Sequence, residues 1–192
     1  MSYFRFIEKN IDTKIINNIL SEIRKKDWHV AGKLPGAAGM LDPYGFLPLT
    51  MAVVKTATDD PKDTELTQNT PMFYKYKETR KWLESWNCEN HSRCAFFKML
   101  PGGSLGMHID EGKYYLSRDR YHLSLQGTYE YTVGDEMHII EPGTFFWFDN
   151  KIEHKSHNIS SVNRISLVFD VPHRGPDRAW HKLPNGKLIW SQ

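Results

Sequence analysis

Arg120-Tyr121-His122-Leu123-Ser124-Leu125-Gln126 alternates without a break. Tyr121, Leu123 and Leu125 fall on one face of an extended chain, and Arg120, His122, Ser124 and Gln126 on the other. A period of two is the signature of a β-strand with one apolar face. Shorter runs of the same kind surround it. Residues 94–100 are aromatic and apolar and end at Pro101-Gly102-Gly103. Residues 129–132 and 136–140 flank Gly134-Asp135, a hairpin signal. Pro142-Gly143 turns the chain into residues 144–148, and Arg164-Ile165-Ser166-Leu167-Val168-Phe169-Asp170-Val171 closes the series.

The N-terminal half reads differently. Asp12 can cap a helix over about residues 13–26, with Ile15, Ile16, Ile19, Leu20 and Ile23 on one stripe. Thr70-Pro71 starts a second helix running to about residue 86. Between them, residues 32–70 are expected to be irregular, broken by Gly32, Pro35, Gly36, Gly39, Pro43, Gly45 and Pro48. A long irregular stretch in a compact protein often covers a pocket. Helices followed by many short strands predict a mainly β fold with N-terminal helices (α+β), a jelly-roll barrel with helices on one side. The expected organisation is one domain over residues 1–192. Residues 1–92 would give helical support and covering loops, residues 93–173 the jelly-roll core, and residues 174–192 a tail with a turn at Asn185-Gly186.

The 192 residues carry 40% hydrophobic and 13% aromatic side chains and a net charge of +2. That describes a globular chain and calls for neither nucleic acid nor a membrane surface as partner. No apolar run approaches the ~20 residues of a membrane span, and no signal-peptide core is evident, so the expected location is cytoplasmic. Cys88 and Cys94 are expected to be reduced.

His108-Ile109-Asp110 brings chemistry. In a strand, residues i and i+2 share a face, so His108 and Asp110 can hold one ion, with His154 supplied from another strand. Two histidines and one carboxylate are the ligand set of non-haem Fe(II) oxygenases, which leave positions open for substrate and O₂. Arg164 opens the last strand, and its planar fork suits the carboxylate of a dicarboxylic acid.

Four stretches carry a resemblance. They are Met99-Leu100-Pro101-Gly102-Gly103 leading to His108; residues 120–125; Glu141-Pro142-Gly143-Thr144 through Phe148-Asp149 to Glu153-His154; and Asn163-Arg164-Ile165-Ser166-Leu167 through Asp170-Val171. In this order they resemble the aspartyl/asparaginyl β-hydroxylase family of Fe(II)- and 2-oxoglutarate-dependent oxygenases, over about residues 93–173. The resemblance implies a double-stranded β-helix, or cupin-like, barrel. His108 and His154 would be iron ligands. Arg164 would bind the distal carboxylate of 2-oxoglutarate, with Arg120 and His122 facing the same molecule and Ser166, which shares a strand face with Arg164, supporting it. Arg118 is an alternative to Arg120. The implied cofactors are Fe(II), 2-oxoglutarate and O₂, with ascorbate keeping the iron reduced, and the products include succinate and CO₂. The implied substrate is an amino acid, free (such as proline) or as an Asp/Asn-like residue of a peptide or protein. Two departures stand out. The eukaryotic protein-modifying members have glycine where this chain has Asp110, and the family's 2-oxoglutarate serine falls at about Phe97. The alternatives are oxygenation of another small metabolite and a non-catalytic binding module on the same barrel.

Several other residues have candidate roles. Phe146, Trp147 and Phe148 can form a dry wall or simply core. His157 can orient a ligand. Lys113, Tyr114 and Tyr115 can line the pocket.

Overall fold

A computed structural model describes residues 2–31, 44–88, 90–174, 180–182, 184 and 188–190. In chain order the elements are β1 (Phe4–Glu8), α1 (Thr13–Glu22), α2 (Lys25–Ala31), β2 (Tyr44–Ala52), a 3-10 turn (Pro61–Asp63), β3 (Thr67–Asn69), α3 (Pro71–Lys75), α4 (Lys77–Ser85), β4 (Cys94–Met99), β5 (Ser104–His108), α5 (Lys113–Leu116), β6 (Arg118–Gln126), β7 (Tyr129–Val133), β8 (Glu136–Ile140), β9 (Phe145–Phe148), β10 (His154–Asn158), β11 (Arg164–Pro172), β12 (Trp180–Lys182) and β13 (Leu188–Trp190).

Two antiparallel sheets make the body. One has the order β1-β9-β6-β11-β4-β2-β3 and the other β5-β10-β7-β8, while β12 and β13 form a separate hairpin. The alternation in β6 sorts its two faces. Tyr121, Leu123 and Leu125 join Leu167 and Phe169 of β11 against Ile16 and Ile19 of α1 and Trp82 and Leu83 of α4. On the other face, Phe4 of β1 and Phe146 and Phe148 of β9 meet Tyr129, Tyr131, Val133 and Ile140 across the gap between the sheets. This is the jelly roll expected from the strand series, with helices on one side. The β7–β8 hairpin closes where expected: Val133 pairs with Glu136, and Gly134 takes the turn at φ +56°.

The N-terminal half departs from expectation in three ways. The helix expected over residues 13–26 stops at Glu22, and α2 begins at Lys25. The helix expected over residues 71–86 breaks at Tyr76. Both breaks are held by one buried carboxylate. Asp27 accepts from the Arg24 backbone N–H at 3.1 Å, from Lys75 Nζ at 2.6 Å and from the Tyr76 hydroxyl at 2.7 Å. A carboxylate in the first turn reaching back to the preceding N–H is one half of a capping box, so a tertiary hub overrides the continuous helical pattern. Glu22 then caps α4, accepting from the N–H groups of Glu78 and Thr79.

The third departure is β2. Residues 44–52, expected to be irregular, pair with β4 despite Gly45 and Pro48. The register shifts between Pro48 and Thr50, so the bulge absorbs the proline that cannot donate to the ladder. The Gly and Pro positions at 32, 35, 36, 39 and 43 lie outside the described residues, as does the Asn185-Gly186 turn. Cys88 and Cys94 are both buried and form no disulfide.

Candidate metal centre

His108 ends β5 and His154 begins β10, and the two are direct register partners across these strands. Their ring centroids lie 4.2 Å apart. Asp110 follows β5 by two residues, and its backbone N–H donates to Asn150 O at 3.1 Å. One ligand atom from each of His108, Asp110 and His154 lies within 4.8 Å of the others. The histidines are alike in a further respect. His108 Nδ1 lies 2.8 Å from Gly106 O, and His154 Nδ1 lies 2.9 Å from Ile152 O. A carbonyl oxygen can only accept, so each Nδ1 carries the proton and each Nε2 keeps its lone pair for a metal. Burial holds His154 neutral and lowers its pKa to about 4, against the opposing pull of Asp110.

Arg120 lies beside the triad. Its Nε and Nη2 donate to the two oxygens of Asp170 at 2.8 and 2.9 Å, and its Nη1 donates to Asp110 Oδ2 at 2.8 Å. Three of its five N–H donors are thus held by carboxylates of the chain itself. Burial works against the Arg120 charge, but Asp110 and Asp170 outweigh it and push its pKa well up. Arg118 points away. It donates to Ser92 Oγ and to Glu65 Oε2, tying β6 to the segment after the 3-10 turn.

Arg164 occupies the space between the sheets. It is 5% exposed, its Nε donates to Ser166 Oγ at 3.1 Å, its Nη1 donates to Ser156 Oγ at 2.8 Å, and its guanidinium lies 3.9 Å over the Tyr129 ring. Among the described residues it has no carboxylate partner. Two more polar groups in the same space lack partners there: His122 Nδ1 and Ser124 Oγ. Burial, then Arg164, Arg120 and His154, keep His122 neutral and hold its pKa well below the usual value. Tyr131 links Arg164 to the triad. Its ring lies 5.8 Å from the Arg164 guanidinium and stacks on His154 at 6.3 Å. Ser156 and His154 share one face of β10, two residues apart, or roughly 7 Å of strand. A buried cation and orphaned hydrogen-bonding groups at one end, and three metal-ligand atoms at the other, fit a metal-chelating dicarboxylate.

The remaining candidates divide. Phe148 lies 4.8 Å from the His154 ring and, with Phe146, walls the cavity. Trp147 faces the helices and donates to Asp119. His157 is on the outer face of β10, bonded to Ser104 Oγ, and does not touch His154. Tyr114 is fully buried and bonds Asp170, while Tyr115 lies 4.8 Å from the Arg120 guanidinium. Lys113 anchors the 3-10 turn through its N–H to Asp63. Phe97 faces Ser166 across β4 and β11. Ser156 and Asp170 escaped the sequence reading. The signal was the period of two: Ser156 shares a face with His154, and Asp170 with Arg164 and Ser166.

Comparison with known proteins meets this geometry. The sequence model of the aspartyl/asparaginyl beta-hydroxylase family matches residues 48–174, more than half of the chain. The chain belongs to this family. The family's span begins in β2, well upstream of the stretch from residue 93 that carries the resemblance by eye. No curated protein matches the chain. Solved structures similar to parts of it include a Cnp3 cupin domain from Schizosaccharomyces pombe (14% identity, TM-score 0.38, covering 42% of this chain and 56% of that one). Another is a predicted oxalate decarboxylase from Thermotoga maritima (17%, 0.37, 49% and 74%). A third is a cupin domain of a transcriptional regulator from Enterobacter cloacae (16%, 0.37, 43% and 82%). The chain thus spans little more than half of the Cnp3 domain. Among the described residues of this hydroxylase-family chain, no helix is long and apolar enough to cross a membrane.

Proposed function

We propose that this chain is an Fe(II)- and 2-oxoglutarate-dependent dioxygenase that hydroxylates an amino acid, free or as a residue of a peptide or protein. The observation that carries the reading is a buried guanidinium without a carboxylate partner among the described residues, linked through the Tyr131 ring to a His-Asp-His triad. His108, Asp110 and His154 would hold the iron, and Arg164 with Ser166 and Ser156 would hold the far carboxylate of 2-oxoglutarate. Bound iron and 2-oxoglutarate supply an oxidant from O₂ strong enough to hydroxylate a C–H bond, with succinate and CO₂ leaving.

The chain's own residues do the rest. Two backbone carbonyls each take an Nδ1 proton, so Nε2 of each histidine is the atom that can face the metal. Arg164 is ordered by two serine hydroxyls and a tyrosine ring before any anion arrives, which lowers the cost of ordering on binding. Phe146, Phe148, Tyr129 and Tyr131 pack as one buried apolar cluster beside the site, the kind of lining that would exclude water. His122, neutral and with a free Nδ1, offers one more hydrogen-bonding group to the dicarboxylate.

The test is succinate formation from 2-oxoglutarate with Fe(II), ascorbate and O₂ over a panel of free amino acids and short peptides. Succinate that rises with one panel member and disappears in His108→Ala is the expected result. A folded, metal-loaded protein that neither binds 2-oxoglutarate nor forms succinate would overturn the reading.

A further inference from the structure

Asp110 is not held by the sheet. It lies past the end of β5, and the side-chain bond it makes among the described residues is to Arg120 Nη1, at 2.8 Å. Arg120 is in turn not free to move. Its Nε and Nη2 are locked in a fork on Asp170, which is 1% exposed. Asp170 is held too. It accepts from the Tyr114 hydroxyl at 3.2 Å, its N–H donates to Arg93 O, and its carbonyl accepts from the Ser92 N–H. With Nε and Nη2 committed to Asp170, Nη1 reaches Asp110, so one planar group holds both carboxylates.

We infer that Arg120, locked by Asp170, is the positioning residue that presents Asp110 to the metal. The strut holds Oδ2, and one oxygen of the same carboxylate lies within 4.8 Å of a ligand nitrogen of each histidine. Its charge matters as well as its shape. Two carboxylates and one guanidinium leave a net single negative charge beside the histidine pair, a favourable setting for a dication. Without the guanidinium, two partly or wholly buried carboxylates would face each other, and Asp110 would swing to solvent. Arg120 therefore acts through Asp110 and not on the substrate. The inference rests on the metal-centre part of the proposed function and deepens it.

The experiment reads metal affinity alone. Mn(II) binding to the full chain is measured by calorimetry and by the loss of the free-ion electron paramagnetic resonance signal. Arg120→Met is expected to weaken Mn(II) binding by about 10–100-fold, the usual effect of removing a group that orients a ligand. The same substitution placed on top of Asp110→Gly should cost nothing further, because the strut then has nothing to hold. Arg120→Lys should not rescue, since a single ammonium cannot serve both carboxylates. If Arg120→Met does not fold, Asp170→Asn, which keeps the side-chain shape, replaces it in the same cycle with the same expectation. An equal loss with and without Asp110, or no loss, would overturn the strut while leaving the metal site standing. Failure of the unsubstituted chain to bind Mn(II) would overturn the metal centre itself, and the inference with it.

Discussion

Arg164 is a buried cation with hydroxyls and a ring for company. Nearly every buried charge is paired, so its partner should be a ligand. Arg164→Met is expected to raise the apparent KM for 2-oxoglutarate by about 10–100-fold, matching the roughly 1.5–3 kcal/mol of a hydrogen bond to a charged group. Initial rates of succinate formation against 2-oxoglutarate concentration check it, and an unchanged KM would assign the clamp elsewhere. His122 and His154 give a second expectation at this scale. Both are kept neutral by burial, with pKa values below the ordinary value near 6.5, His154 at about 4. In the unfolded chain they titrate near 6.5. The folded state thus binds fewer protons below that pH, and acid favours unfolding. Their contribution is fully present above about pH 6.5 and is lost as pH falls toward 4. The urea midpoint of the metal-free protein should drop between pH 7.5 and pH 5, and less so in His122→Leu. A midpoint flat over that range would contradict the neutral, buried assignment. His122, His154 and Arg164 were legible because they sit on strands, where a period of two assigns faces, whereas Asp110 lies two residues past β5. Asp170 was not, because a carboxylate in an apolar strand announces burial but not its partner. Arg120, Asp110 and Asp170 are near each other only through the pairing of β6 with β11 and the chain's course after β5.

At the scale of elements, what was legible depended on how local the cause was. The β7–β8 hairpin follows from Gly134-Asp135 and its flanking strands, and Thr70 caps α3 as its Thr-Pro signature implies. The α3–α4 break has no local cause, and the α1–α2 break has only the Asp27 cap on the Arg24 N–H. Ile23 and Tyr76 continue good helical stripes, and only the meeting of Asp27 with Lys75 and Tyr76 makes the interruption favourable. For β2 the local signals pointed the wrong way, since glycine and proline marked a loop where pairing with β4 makes a strand. Asp27→Ala tests the hub. It would leave the Tyr76 hydroxyl buried without its acceptor, at a cost of about 1–3 kcal/mol, and remove a helix cap worth about 1 kcal/mol. The Lys75 ion pair adds little, because that side chain is 35% exposed. A loss of about 2–4 kcal/mol in urea unfolding is expected. A loss under 1 kcal/mol would show that helix packing alone holds the two breaks.

For the whole molecule, the two sheets and the helical layer do separate work. The layer of α1 and α4 buries the outer face of the larger sheet and fixes the positions of β6 and β11. These strands carry Arg120, His122, Arg164 and Ser166 on their inner face, while β5 and β10 supply the histidines from the facing sheet. The centre thus exists only when both sheets are in place, so a ligand bound there stabilises the entire fold. Anything that binds the folded state alone adds RT ln(1 + [L]/Kd), about 2.7 kcal/mol at a hundredfold excess over Kd. In a chain of 192 residues, each kcal/mol raises the melting temperature by about 2–4 °C, so saturation should give a rise of about 5–10 °C. Mn(II), standing in for iron, should give the first increment, and 2-oxoglutarate a second that requires the metal. His154→Ala should lose both, because the chelate needs the ion and the ion needs the triad. Arg164→Met should keep the metal increment and lose most of the second, because the ion can still take the keto-acid end but nothing grips the other. Should 2-oxoglutarate stabilise the protein equally with and without metal, the dicarboxylate would be binding away from the triad. Arg164 and His154, linked in the structure through the Tyr131 ring, would then belong to two independent sites.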